Sequence, residues 1–238
     1  MQVLAISSSR VGGGAFLSAA APMIESFLGQ EKKQVAFLPF AAADNDYEGY
    51  AAKVREGLSS LPHTLEVVTP ENARSVVVNC DVVMVGGGNT FKLLHDIYSQ
   101  DLFTLIQQKV SGGTPYIGWS AGANLTGRTI STTNDMPIIQ PQSFTAFGFF
   151  PFQINPHYYN VTIDGFHGET RDQRLEEFLL VNPGVPVVGL PEGTALQLQD
   201  DRLQFLGTQE AVLFEKQNAG VLSKKTVSSG ADLSFLLQ

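Results

Sequence analysis

Cysteine is almost absent from this chain: Cys80 is the only one in 238 residues. One thiol can close no internal disulfide and build no thiolate metal cluster, and a chain of this length can bury a core large enough to need neither. Charge is sparse too. Only 16% of residues are charged, and 15 Lys+Arg against 23 Asp+Glu leave a net charge of −8. The lack of clustered basic residues argues against binding to nucleic acid or to an anionic membrane surface. The same sign disfavours an anionic ligand unless a cation is placed beside it. No apolar run reaches the ~18–20 residues of a membrane span. The short apolar run at positions 2–6 is followed at once by Arg10 and three glycines, which is not the pattern of a secretory leader. A cytoplasmic enzyme or binding protein is therefore expected, and a lone thiol suits that compartment.

Short apolar runs alternate with helical patterns. Val3–Ile6, Val35–Pro39, Leu65–Val68, Val82–Val85 and Tyr116–Trp119 read as buried strands. Gly14–Leu28, Tyr47–Leu58, Asn72–Val78 and Thr90–Val110, the last broken near Ser99–Asp101, read as helices between them. Such alternation predicts right-handed crossovers and a mostly parallel sheet covered on both faces, an α/β three-layer sandwich. Beyond Ala123 the spacing predicts extended segments at Arg128–Ile139 and Phe149–Ile154 and a helix at Arg171–Val181. A buried strand at Val187–Leu190 and short antiparallel strands at Ala195–Gln199, Leu203–Leu206 and Ala211–Phe214 follow. Without repeat, low-complexity tract or linker, residues 1–238 are expected to form a single domain.

The strongest chemical signal is Gly118-Trp119-Ser120-Ala121-Gly122, directly after an apolar strand and before a run with helical character. G-x-S-x-G in that setting describes a nucleophile elbow, a tight turn that lifts the serine to the carboxyl edge of the sheet. The amide of Ala121 then faces a developing oxyanion. A second loop, Gly86-Gly87-Gly88-Asn89-Thr90, also joins a strand to a helix. Phe91 stands where a dinucleotide fingerprint needs its third glycine, and the loop lacks G-K-[ST], so it is neither a Rossmann turn nor a P-loop. Its amides supply the other half of an oxyanion hole if its strand neighbours that of Ser120; otherwise it is a close-packed turn whose Asn89 or Thr90 caps a helix.

Among four histidines, His63 lies in a polar turn, His95 in a helix and His167 in a glycine-rich loop. His157 ends an extended apolar segment behind Pro156, which fixes the backbone before the imidazole and makes it the best base. Its acidic partner is either Asp135, in Thr132-Thr133-Asn134-Asp135-Met136-Pro137, or Glu192, in Leu190-Pro191-Glu192-Gly193. The short spacing of Ser120, Asp135 and His157 disfavours the usual α/β-hydrolase topology.

Val85–Phe91, Ile117–Leu125, Thr132–Pro137, Gln153–His157 and Gly168-Glu169-Thr170-Arg171 resemble the peptidase E family, bacterial α-aspartyl dipeptidases. The resemblance spans about four-fifths of the chain, and the final forty or so residues match no motif. It implies a class I glutamine amidotransferase-like (flavodoxin-like) sandwich and hydrolysis of dipeptides with an N-terminal L-aspartate through an acyl-enzyme. Ser120 would be the nucleophile, His157 the acid/base and Asp135 the third relay member, with Glu192 its rival or helper. Gly88 and Ala121 would supply the oxyanion amides. Arg171 would grip the aspartyl carboxylate with Asn89 and Glu169 alongside, and Glu169 or Glu192 would meet the substrate ammonium. Thr126-Gly127-Arg128 and Phe166-His167 depart from the pattern. No metal or organic cofactor is implied, and the partner is a small peptide, bound by a monomer or homodimer. A serine hydrolase of other specificity, such as a cyanophycinase-like peptidase or an esterase, and a non-catalytic binding module are the alternatives.

Overall fold

The β-branched apolar runs become strands because both of their faces are covered. The computed structural model describes residues 1–162, 164–165, 167–216 and 222–238. Strands β1 (Gln2–Ile6), β2 (Gln34–Leu38), β3 (Thr64–Val67), β4 (Val82–Val85) and β5 (Tyr116–Trp119) run parallel. Two antiparallel strands, β8 (Ala195–Gln199) and β9 (Arg202–Leu206), extend the sheet beyond β1. The seven-stranded order is β3-β2-β4-β5-β1-β8-β9. Helices α1 (Ala21–Leu28) and α2 (Tyr47–Gly57) cover one face, where Leu4, Ile6, Phe37 and Trp119 meet Ile24, Phe27 and Val54. Helices α3 (Ala73–Asn79), α4 (Thr90–Ser99) and α5 (Phe103–Ser111) cover the other, where Val3, Ala5, Val83 and Val85 meet Val77, Leu94 and Ile106. Alternate residues of β1 thus enter opposite layers, the period of two that a doubly covered strand requires.

A second, four-stranded sheet joins strands expected near Phe149–Ile154, Val187–Leu190 and Ala211–Phe214 to one that was not expected. It orders β11 (Leu222–Val227), β10 (Ala211–Lys216), β7 (Val187–Leu190) and β6 (Gln153–Pro156), with α7 (Arg171–Val181) packed on it through Leu175 and Leu179. Its β6 and β7 are parallel neighbours with Pro156 opposite Leu190, so the residues that follow each strand emerge together.

Several expected elements differ. The helix expected at Gly14–Leu28 forms only from Ala21, because Gly12 and Leu17 take positive φ values of 51° and 58° and turn the chain instead. Arg128–Ile139 forms no strand; only an isolated bridge joins Thr129 to Thr145. Its hydroxyls and amides bond to β6 in place of a ladder. Buried Gln153 bonds Thr129 through both ends of its amide, Thr132 Oγ1 donates to the Ile154 carbonyl, and Asn155 Nδ2 donates to the Thr132 carbonyl. The run following Ser120 is one turn, α6 (Ala121–Asn124). Phe149–Ile154 is extended as a strand only from Gln153. No helix among the described residues is long and apolar enough to cross a membrane.

Candidate active site

Because β5 lies between β4 and β1, the loops leaving the carboxyl ends of these three strands converge, as ligand-binding loops of parallel sheets do. Ser120 follows β5 and holds φ 53°, ψ −112°, a conformation costly for a residue with a side chain and the mark of a nucleophile elbow. The turn closes only because Gly122 has no Cβ. One there would stand 2.3 Å from the Val85 carbonyl oxygen. The loop after β4 rests directly on the serine: a Cβ on Gly87 would lie 2.8 Å from that of Ser120. Gly88 takes φ 139° and packs on the Ala41 backbone, so only glycine fits. Among the described residues, the N–H groups of Gly88 and Ala121 have no protein acceptor. Two bare amides therefore flank the serine hydroxyl.

The second sheet delivers His157 and Glu192. His157 follows β6 and Glu192 lies just beyond β7, so the pairing of Pro156 with Leu190 sets them side by side. His157 Nε2 lies 3.0 Å from Ser120 Oγ, and His157 Nδ1 lies 3.0 Å from Glu192 Oε1. Two serines after β1 tie the sheets together here. Ser7 Oγ accepts from the His157 N–H at 2.9 Å and donates to the Leu190 carbonyl at 2.7 Å. Ser8 Oγ accepts from Gly193 N–H at 3.1 Å and donates to the Arg10 carbonyl. Neither serine was singled out in the sequence. The available signal was Ser7-Ser8-Ser9 at the carboxyl end of a buried strand.

Asp135, expected from the resemblance to join the relay, makes no hydrogen bond to His157. Its Oδ2 accepts from Thr90 N–H at 2.7 Å, from Thr90 Oγ1 at 2.5 Å and from Thr133 Oγ1 at 3.2 Å. A carboxylate at the start of α4 satisfies an end amide and suits the helix dipole. Asn89, expected to bind substrate, is the N-cap of the same helix: its Oδ1 accepts from Lys92 N–H at 3.0 Å and its Nδ2 donates to the Met136 carbonyl. Asp135 and Asn89 thereby anchor the segment that carries Gly88.

Arg171 opens α7 and is half-buried; burial, then the nearby charge of Arg174, pushes its pKa down. It does not line the cavity in front of Ser120. It lines a smaller one with Thr132, Asn134, Asn155 and Phe178. Of its lining residues, Asn134 reaches toward His157, its Nδ2 donating to the Pro156 carbonyl. The carboxylates that would neutralise Arg171 are engaged elsewhere. Asp172 bonds Tyr158 Oη and Lys224 Nζ, and exposed Glu169 lies 3.7 Å from Arg174 Nε. Phe166, one of the departures from the family pattern, lies outside the described residues.

The cavity in front of Ser120 measures about 310 Å³ and is lined by Ser120, His157, Gly87, Gly88, Tyr50 and Arg10, among others. Tyr50 braces it from α2: Trp119 Nε1 donates to its hydroxyl at 3.0 Å, and the hydroxyl donates to the Gly87 carbonyl at 3.0 Å. Burial pushes the Tyr50 phenol up to about 12, so it remains a neutral donor. Among the described residues no group of three or more His, Cys, Asp or Glu is placed to hold a metal. Cys80 is buried away from this centre, and burial raises its thiol pKa.

The family model of peptidase family S51 matches residues 3–206. A protein of Shewanella amazonensis named peptidase E is 45% identical over 238 residues, covering 100% of this chain and 99% of its own. A peptidase E of Nostoc sp. is 45% identical over 215 residues, 90% of this chain and 89% of its own. Two solved structures share the fold. A putative peptidase E of Listeria monocytogenes superposes with a TM-score of 0.66 at 20% identity, covering 87% of this chain and 98% of its own. A peptidase from an acI-B1 Actinobacterium superposes with a TM-score of 0.70 at 18% identity, covering 98% and 96%. Both likenesses agree with the class I glutamine amidotransferase-like sandwich expected from the sequence. A serine on a strained elbow, a histidine in hydrogen-bond contact and matches of this length lead to one conclusion: the chain belongs to peptidase family S51 and is a serine-type peptidase.

Proposed function

We propose that the protein hydrolyses dipeptides with an N-terminal L-aspartate, with Ser120 as nucleophile, His157 as general base and acid, and Glu192 as the acid that orients His157. The observation that carries this reading is the unbroken chain from Glu192 through His157 to Ser120, each contact 3.0 Å, facing the amides of Gly88 and Ala121. His157 Nε2 takes the hydroxyl proton as Ser120 Oγ attacks the aspartyl carbonyl. Glu192 holds Nδ1–H, fixes the tautomer and steadies the imidazolium that forms. The carbonyl oxygen gains charge between the two amides, each such donor being worth roughly 10²–10³-fold in rate. His157 then passes its proton to the leaving amine. Water hydrolyses the ester through the same base, releasing aspartate.

Arg171 is the cation for the aspartyl side chain. Its guanidinium is half-buried, its neighbouring carboxylates are occupied, and a planar fork suits a carboxylate bound through two hydrogen bonds. Of the two acids expected to meet the substrate ammonium, Glu192, 46% exposed, contacts His157, whereas Glu169 pairs with Arg174. The test is a panel of Asp-Leu, Asn-Leu, Glu-Leu, Ala-Leu and β-linked Asp-Leu on wild type and Arg171→Met. Asp-Leu should be cleaved at least ~10²-fold faster than Ala-Leu, a preference that Arg171→Met abolishes. Equal rates on Ala-Leu or β-Asp-Leu in the wild type overturn the specificity and leave a serine peptidase of another range.

A further inference from the structure

The cavity before Ser120 contains two cations that the chemistry above does not use. Arg10, in the loop after β1, and Lys53, on α2, both line it together with Ser120, His157, Gly87 and Tyr50. Neither is in an ion pair among the described residues. In a chain with net charge −8 and only 15 basic residues, two unneutralised cations beside the nucleophile need a reason.

Arg10 is held in place. The Arg10 guanidinium lies over the Phe16 ring at 5.8 Å from its centroid, and its carbonyl accepts from Ser8 Oγ at 2.7 Å. Gly193, next to Glu192, packs on Val11, the residue after Arg10. Lys53 stands three residues after Tyr50 and therefore on the same face of α2. Tyr50 in turn is bonded to the Gly87 carbonyl. Arg10 and Lys53 are thus attached to the two walls of the site, the Glu192 loop and the oxyanion loop.

We infer that Arg10 and Lys53 bind the C-terminal carboxylate of the leaving residue and so confine the enzyme to dipeptides. This rests on the dipeptidase reading and adds its length rule. An Asp-Xaa dipeptide carries a carboxylate on each side of the scissile bond. Arg171 lies on the α7 side of His157, whereas Arg10 and Lys53 lie on the α2 side, in the Ser120 cavity itself. A single residue spans at most ~3.6 Å, so the carboxylate of Xaa falls immediately beyond the attacked carbonyl. In a tripeptide or an amide the same position holds an uncharged peptide group, which offers the two cations no counter-charge.

The test compares kcat/KM for Asp-Leu and Asp-Leu amide in wild type, Arg10→Gln, Lys53→Gln and the double variant. Wild type should favour the free acid by about 30- to 100-fold, each single variant should narrow that ratio by about 5- to 10-fold, and the double variant should bring it below about threefold. The loss should fall on the free acid and mainly in KM. A wild-type ratio near unity, a ratio that survives in the double variant, or equal losses on both substrates each overturn the assignment. The underlying reading fails in a different way, with neither compound turned over by the wild type.

Discussion

Glu192→Gln isolates the electrostatic part of the relay. Glutamine keeps the size of the side chain and an oxygen able to accept from His157 Nδ1–H, but removes the charge that steadies the imidazolium. The two groups are 3.0 Å apart. At that distance a pair of unit charges attracts by about 5.5 kcal/mol in an effective dielectric of about 20 and by about 1.4 kcal/mol in water. The side chains are 40% and 46% exposed, so the pair lies between these limits. A value of about 2–3 kcal/mol corresponds to a roughly 30- to 160-fold loss in kcat. Replacing a fully buried relay aspartate by asparagine costs about 10⁴-fold because the wrong tautomer forms, whereas this exposed pair is screened by solvent. The assay is steady-state hydrolysis of Asp-Leu, with KM expected to change little and the melting temperature held as a control. A loss of less than threefold refutes the reasoning, as does a larger kcat loss from Asp135→Asn than from Glu192→Gln.

Asp135→Ala should cost about 1–3 kcal/mol of stability, read in a urea titration, because Thr90 loses a charged acceptor at the start of α4. Its effect on kcat should be smaller than that of Glu192→Gln, since it reaches the chemistry only through the loop of Gly88. Gly122→Ala forces a Cβ to 2.3 Å from the Val85 carbonyl oxygen, so it should lower stability by about 2 kcal/mol or more and shift the urea midpoint accordingly. His63 has both ring nitrogens buried, and burial, then Lys33, lowers its pKa below the ordinary 6.5 against the opposing pull of the Glu31 backbone. The unfolded chain therefore takes up the proton more readily, and the contribution of neutral His63 to stability is full above pH 6.5 and is lost as pH falls toward its folded pKa. His63→Leu should narrow the drop in melting temperature between pH 7.5 and pH 5; an unchanged drop contradicts this.

Strands buried on both faces were legible in either sheet because they read as continuous apolar runs ended by glycine, proline or serine. Val82–Val85, Tyr116–Trp119 and Val187–Leu190 have the bounds their composition implied. Leu222–Val227 was not legible: only Val227 is buried, and Lys224 and Lys225 are the charges an edge strand carries toward solvent. Arg128–Ile139 misled because threonine favours strands by composition, whereas here the Thr132 hydroxyl donates to the Ile154 carbonyl and the Thr129 hydroxyl accepts from the Gln153 side chain, in place of a ladder. At the site, G-x-S-x-G carried its own geometry. The contact of Glu192 with His157 did not lie in local spacing, because it depends on Pro156 standing opposite Leu190 across two strands 34 residues apart. Arg10 and Lys53 escaped notice for the same reason, since β1 and α2 meet at Ser120 only in three dimensions.

The most direct test of the account is covalent capture at Ser120. Wild type treated with a fluorophosphonate should gain one adduct, mapped by peptide mass spectrometry to the segment containing Ser120, and lose Asp-Leu hydrolysis in step with labelling. Ser120→Ala and His157→Ala should neither label nor turn over Asp-Leu above about 10⁻⁴ of the wild-type rate. Labelling at another residue, or a Ser120→Ala enzyme that retains its rate, contradicts the assignment of Ser120 as nucleophile.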